Sequence, residues 1–211
     1  MTYSTLPDET ERRLPAFSLM QAVKRRFFAM RNGDLAAQMA AGGLHYKMNF
    51  GLNLPQIAEI ASQLAEGTLD GVDHKPSQQE IDHTARMLWA NATTRESLLL
   101  APMLFDITLI TAGQACDMLA ACPTTEVADV LCLKLLRNHP KASSIAAATY
   151  NAPEAGAMQR YGAMRLIINL LCLGRADLEL AREISTTEAA RSEPLTRRLS
   201  RQIADEITAW E

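Results

Sequence analysis

Aromatic side chains are scarce in this chain. They make up 5% of its 211 residues, while methionine occurs ten times. A core filled by aliphatic and sulfur side chains is the expectation. Positive charge is not in excess either, because the formal net charge is −3. That balance counts against a nucleic-acid binder defined by bulk charge and leaves room for a single basic face. Long apolar runs are missing. The longest, near Leu98–Leu104 and Leu166–Leu173, fall far short of the roughly 20 residues a membrane span requires, so no membrane association is expected. None of the four cysteines (Cys116, Cys122, Cys132, Cys172) forms a Cys-x-x-Cys pair, and no histidine stands at zinc-finger spacing. All four lie in apolar helical patterns, which predicts buried free thiols and a cytoplasmic, reducing location. The opening stretch MTYSTLPDETERRLPAF carries charge but no apolar centre, so it does not read as a secretory signal.

Several enzyme signatures are absent too. The chain has no GxxxxGK(S/T), no GxGxxG, no HExxH and no GxSxG. Glu80-x-x-His83 has the spacing of one di-iron ligand pair, but such a site needs a second copy and two more glutamates. A solvated helix face is the expectation there, with no metal and no cofactor. His45 and His139 stand at helix boundaries, where capping or hydrogen bonding is the default for histidine.

What is present is helical period. Leu19, Met20, Val23, Phe27 and Met30 share one face of a first helix, and Asn32-Gly33-Asp34 closes it and caps the next. Leu54, Ile57, Ile60, Ala61 and Leu64 repeat the pattern, with Pro55 in a first turn. Between them lies GGLHYKMNFGLN (42–53), which sets Lys47, Asn49 and Phe50 around a glycine turn. Ser77 with Glu80 forms a capping box. Further helices are predicted near 78–90, 93–105, 111–121, 124–138, 141–150, 153–173, 176–190 and 194–210. No stretch alternates at period two, so the fold class is all-α. Residues 1–16 read as a loose arm and 17–211 as one helical domain. Blocks of about 35–40 residues recur (54–90, 93–121, 124–150, 153–190), which points to a HEAT-like α-α superhelix, with a compact bundle as the alternative.

Four stretches occur in a recognisable order: LHYKMNFGLNLPQIAEIA, ARMLWANATTRESLLLAPML, CPTTEVADVLCLKLLRNHP and MQRYGAMRLIINLLCLGRADL. From about Phe17 to Asp177 the chain resembles a short, divergent branch of the DNA alkylation repair family, the AlkD-like alkylpurine DNA glycosylases built from HEAT-like repeats. The resemblance implies hydrolysis of the N-glycosidic bond of alkylated purines in double-stranded DNA, without metal or cofactor. A carboxylate near the sugar stabilises its developing positive charge, aromatic faces hold the cationic base, and Arg and Lys anchor phosphates.

The family's Trp-Asp-x-x-Asp pattern corresponds here to Thr125-Glu126-Val127-Ala128-Asp129. The resemblance thus places the catalytic carboxylate at Asp129, with Glu126 beside it, and matches the active-site arginine to Arg160. Lys24, Arg25, Lys47 and Arg165 are the expected DNA contacts. Thr125 stands where the family has tryptophan, Trp210 does not match its second one, and Trp89 corresponds to a packing ring. Two readings therefore stay open: a glycosylase-like DNA-binding protein, its activity weak or lost, and a non-catalytic helical scaffold with a protein partner.

Overall fold

A computed structural model describes residues 15–191 and 193–209. The expected arm, 1–16, lies outside the described residues except for its last two positions, and Trp210 lies outside them as well. Among the described residues the chain is all-helical. The helices are α1 (Pro15–Ala29), α2 (Gly33–Ala41), α3 (Leu54–Glu66), α4 (Gln78–Ala90), α5 (Arg95–Leu104), α6 (Ala112–Ala120), α7 (Thr125–Lys134), α8 (Ala142–Tyr150), α9 (Ala157–Leu171), α10 (Leu178–Arg191) and α11 (Pro194–Thr208). Two short 3-10 turns, Ile107–Leu109 and Leu136–Asn138, stand beside them. The second is the tightened end of the helix expected over 124–138. The first fills a stretch with no apolar period, and Asp106 closes it by accepting from Thr108 N at 2.9 Å.

Caps set the helix starts. Asn32 accepts from Leu35 N, and Thr124 from Val127 N. Asn53, Ser77 and Thr111 each form a capping box with a glutamine or glutamate three residues on. Each such box answers two of the amides that a helix start leaves open, and losing a cap costs about 1 kcal/mol.

The chain divides into two compact units, Met1–Phe105 and Asp106–Glu211. In the first, α5 is the central helix and packs against α3 and α4, while α1 packs against α3 and α4. Nine of its ten residues are buried, among them Arg95 and Glu96. Their charges are answered by the corner that GGLHYKMNFGLN forms. Glu96 accepts from Phe50 N at 3.1 Å and Leu52 N at 3.3 Å, and Arg95 Nη1 donates to Leu52 O at 2.7 Å. Met48 N donates to Thr93 O at 2.9 Å, and Arg95 N to Met48 O at 3.0 Å. The start of α5 thus supplies the partners that a strand would otherwise provide for this loop. Leu52 is fully buried, and the rings of Phe50 and Phe27 stand 6.0 Å apart. Trp89 packs edge-on to Phe105, with ring centres 6.5 Å apart.

In the second unit α9 is central and packs against α6, α7, α8 and α11. Nine of its residues are buried, from Tyr161 to Leu171. The cysteines depart from expectation. All four are free, but only Cys122 and Cys132 are buried. Cys172 is exposed because it is the C-cap of α9, just past the helix's buried length. Leu54 is likewise exposed, since it opens α3 before the helix meets its neighbours.

Gly51 holds φ at +74°, and a Cβ there would lie 2.1 Å from Asn32 O. Gly113, inside α6, has open space around the same position. Gly51→Ala should therefore cost about 1–3 kcal/mol of unfolding free energy. Gly113→Ala should be neutral or gain up to about 1 kcal/mol. Urea denaturation of the two variants beside the parent measures both, and equal midpoints for the two would contradict the strain at Gly51.

Candidate functional site

The period of α7 places Asp129 one turn beyond Glu126, on the side toward α9. Glu126 sits in the first turn, where its charge meets the partly positive helix end. Asp129 has 41% of its side chain exposed. Its Oδ1 accepts from the Tyr161 hydroxyl at 2.9 Å and lies 2.7 Å from Arg165 Nε. The Arg165 contact is an ion pair, off the line of a good hydrogen bond for Nε. Arg165 Nη2 donates to the Tyr161 oxygen at 3.2 Å, and its guanidinium stands 5.7 Å from the ring centre. Tyr161 and Arg165 are four apart on α9, so one helix face presents both to the carboxylate. The result is a closed triangle in which the phenol donates to the acid and accepts from the guanidinium.

Burial, together with the Asp129 charge, raises the Tyr161 pKa despite the opposing Arg165 cation. Burial works against the Arg165 charge, but Tyr161 and Asp129 outweigh it and hold the guanidinium more firmly protonated. Beneath them Cys132 Sγ donates to Gly162 O at 3.4 Å. Burial pushes the Cys132 thiol well up and the Cys122 thiol to about 12, so neither is a nucleophile at neutral pH.

Arg160, matched by resemblance to the active-site arginine, turns to a different acid. Its Nε lies 2.8 Å from Glu188 Oε1, and its Nη1 donates to Ala155 O at 2.6 Å. Glu188, on α10, is 0% exposed. Tyr150 of α8 donates to its Oε1 at 2.9 Å, Thr196 of α11 donates to its Oε2, and Arg191 Nε stands 3.5 Å away. Four helices converge on this one carboxylate. The structure thus brings Asp129 together with Arg165 and commits Arg160 to Glu188. Lys24, Arg25 and Lys47 belong to the first unit, with Arg25 and Lys47 exposed and Lys24 half-buried.

Neither Tyr161 nor Glu188 stands out in the sequence. The i, i+4 spacing of Tyr161 and Arg165 in MQRYGAMR was the available signal for the first. Glu188 had none, because its partners come from three other helices. His139 acts as a hydrogen-bonding histidine: Nε2 donates to Ile110 O at 3.0 Å, and Nδ1 accepts from Lys141 N at 2.9 Å. His83 is exposed, and Glu80 serves the cap of α4 and contacts His74. Among the described residues no three His, Cys, Asp or Glu side chains are arranged to hold a metal ion, and no helix is long and apolar enough to cross a membrane. No family model, curated protein or solved structure matches the chain.

Burial opposes the Glu188 charge, but Thr196, Tyr150 and Arg160 outweigh it and hold its pKa below the ordinary 4.5. A carboxylate depressed in this way stabilises the fold above its unfolded pKa and stops doing so as pH falls through its folded one. Glu188→Gln should cost about 3–5 kcal/mol near neutral pH, since it leaves Arg160 without its buried counter-charge. The gap to the parent should narrow below pH about 4.5. Denaturation midpoints from pH 7 to pH 3 measure this, and a gap that stays constant across the range would rule out the ionised form.

Proposed function

We propose that this protein is a DNA-binding repair protein resembling the alkylpurine DNA glycosylases. It hydrolyses the N-glycosidic bond of an alkylated purine, with Asp129 as the carboxylate that faces the sugar. The observation that carries the reading is the half-exposed Asp129, held in place by the Tyr161 hydroxyl and paired with Arg165. As the cationic base departs, positive charge gathers on the sugar, and a fixed carboxylate lowers the energy of that state. Arg165 neutralises the acid at rest. A DNA phosphate that takes the guanidinium leaves the Asp129 charge to the sugar. Tyr161 keeps the carboxylate in position during that exchange.

Glu126 adds negative charge at the start of α7. Arg160 enters this reading through Glu188, by fixing the start of α9 on which Tyr161 follows. Lys24, Arg25 and Lys47 anchor phosphates. On this reading the helices belong to a HEAT-like α-α superhelix, in one domain over 17–211, and the protein works in the cytoplasm without metal or cofactor.

A second reading is a non-catalytic helical-repeat scaffold with a protein partner. Two features favour it. Arg165 cancels the charge that catalysis would use, and Thr125 stands where the resemblance calls for an aromatic wall.

The deciding experiment incubates the purified chain with methylated and unmethylated duplex over a salt series and assays released base. On the glycosylase reading, binding weakens steeply with salt, methylpurine is released, and Asp129→Asn lowers release by about 100-fold or more. Release that survives Asp129→Asn undiminished removes Asp129 from the chemistry. Absence of both binding and release at low salt leaves the scaffold.

A further inference from the structure

The sequence carries no Asp or Glu between Glu11 and Asp34, although the chain as a whole is acidic. Within that stretch α1 has two faces. Leu19, Ala22, Val23 and Phe27 are buried. Gln21, Lys24, Arg25 and Phe28 line an open groove of about 530 Å³ on the other face, at positions i, i+3, i+4 and i+7. Arg31 stands two residues past the end of α1.

Phe28 is 58% exposed, far more than a packing role requires. The Arg31 guanidinium lies over its ring, 4.1 Å from the centroid. One ring face is thus taken by a cation, and the exposure belongs to the remaining face and edge. Arg25 is also placed. Its Nη2 rests against Gly71, where φ is +84° and a Cβ would come within 2.7 Å. Lys24, Arg25 and Arg31 have no carboxylate partner among the described residues. Among the described residues, then, these cations stand beside an exposed aromatic plane with no acid paired to them.

We propose that this face of α1 binds an unpaired stretch of nucleic acid, with a base stacked on Phe28 and its flanking phosphates held by Lys24, Arg25 and Arg31. The proposal rests on the DNA-binding reading above and narrows it to a strand that has left the duplex. Base–aromatic stacking beside a basic groove is the general mode by which single strands are held. A stacked duplex cannot offer a base to Phe28. A bilayer would ask for a wider apolar face than one ring. The overall acidity of the chain restricts polyanion binding to the faces that lack acids, and α1 is one of them.

The test uses the full chain and three labelled probes: an oligothymidine of about 15 nucleotides, a continuous duplex, and the same duplex with a gap of about 4 nucleotides. Anisotropy titrations should show tighter binding of the strand and the gapped duplex than of the continuous one. Phe28→Ala should reduce that preference about tenfold, and Phe28→Trp should keep it. Lys24→Gln with Arg31→Gln should weaken all three probes and flatten the salt dependence. Thermal unfolding of each variant at the parent temperature excludes a folding defect. Equal binding of Phe28→Ala and parent to every probe overturns the proposal, as does displacement of the strand by anionic vesicles at matched charge.

Base release from methylated duplex, assayed in parallel, separates this site from the glycosylase reading. Release without any preference for unpaired strands overturns the α1 site alone. A Phe28-dependent preference without release overturns the chemistry alone.

Discussion

A carboxylate withdrawn from water must have each of its oxygens answered, or it will not stay charged. Glu188 meets that condition by recruiting a phenol from α8, a guanidinium from α9 and a hydroxyl from α11. Its own helix, α10, adds Arg191. Helix packing alone leaves rotation and sliding soft, because aliphatic surfaces accept several registers. A single charged centre with partners of fixed reach removes that freedom. The tilt of α9 against its neighbours, and with it the direction of Tyr161 and Arg165, follows from this constraint.

The same constraint decides which arginine serves Asp129. Two cations lie five residues apart on α9, and two acids compete for them. Glu188 has no access to water, so losing its counter-charge would be far costlier than for Asp129, which keeps 41% of its side chain exposed. Arg160 is therefore fixed by stability, and Arg165 is left for the half-exposed acid. A buried pair holds its geometry, whereas an exposed pair can open and exchange partners. Arg160, with 11% of its side chain exposed, is the more enclosed of the two, against 24% for Arg165.

Much of the fold was legible because helix formation is local. Asn53, Ser77 and Thr111 announce their helices through atoms three residues away, and the apolar stripe of α3 fixes the buried face at Ile57, Ile60 and Leu64. Gly51 could be read as a turn since only glycine accepts such a φ at little cost. The misses are all questions of who meets whom. Arg95 and Glu96 look like the solvated first turn of a helix, yet both are buried against a corner more than forty residues earlier. Cys172 shares the apolar pattern of its helix but lies past the point where neighbours cover it. Glu188 sits in the polar run STTEAARSE and is the most enclosed acid of its unit. Polar residues inside are the exceptions that periodicity cannot see.

The corner at 48–52 carries one more consequence. Its amides belong to an irregular segment, and irregular segments ordinarily exchange their protons with solvent through small local openings. Here the acceptors are the Glu96 carboxylate, on the most buried helix of the unit, and the Thr93 carbonyl just before that helix. The amides of Phe50 and Leu52 thereby open only when their hold on Glu96 of α5 is broken. A stretch that looks like a loop on paper is tied to the core through residues with no regular structure of their own.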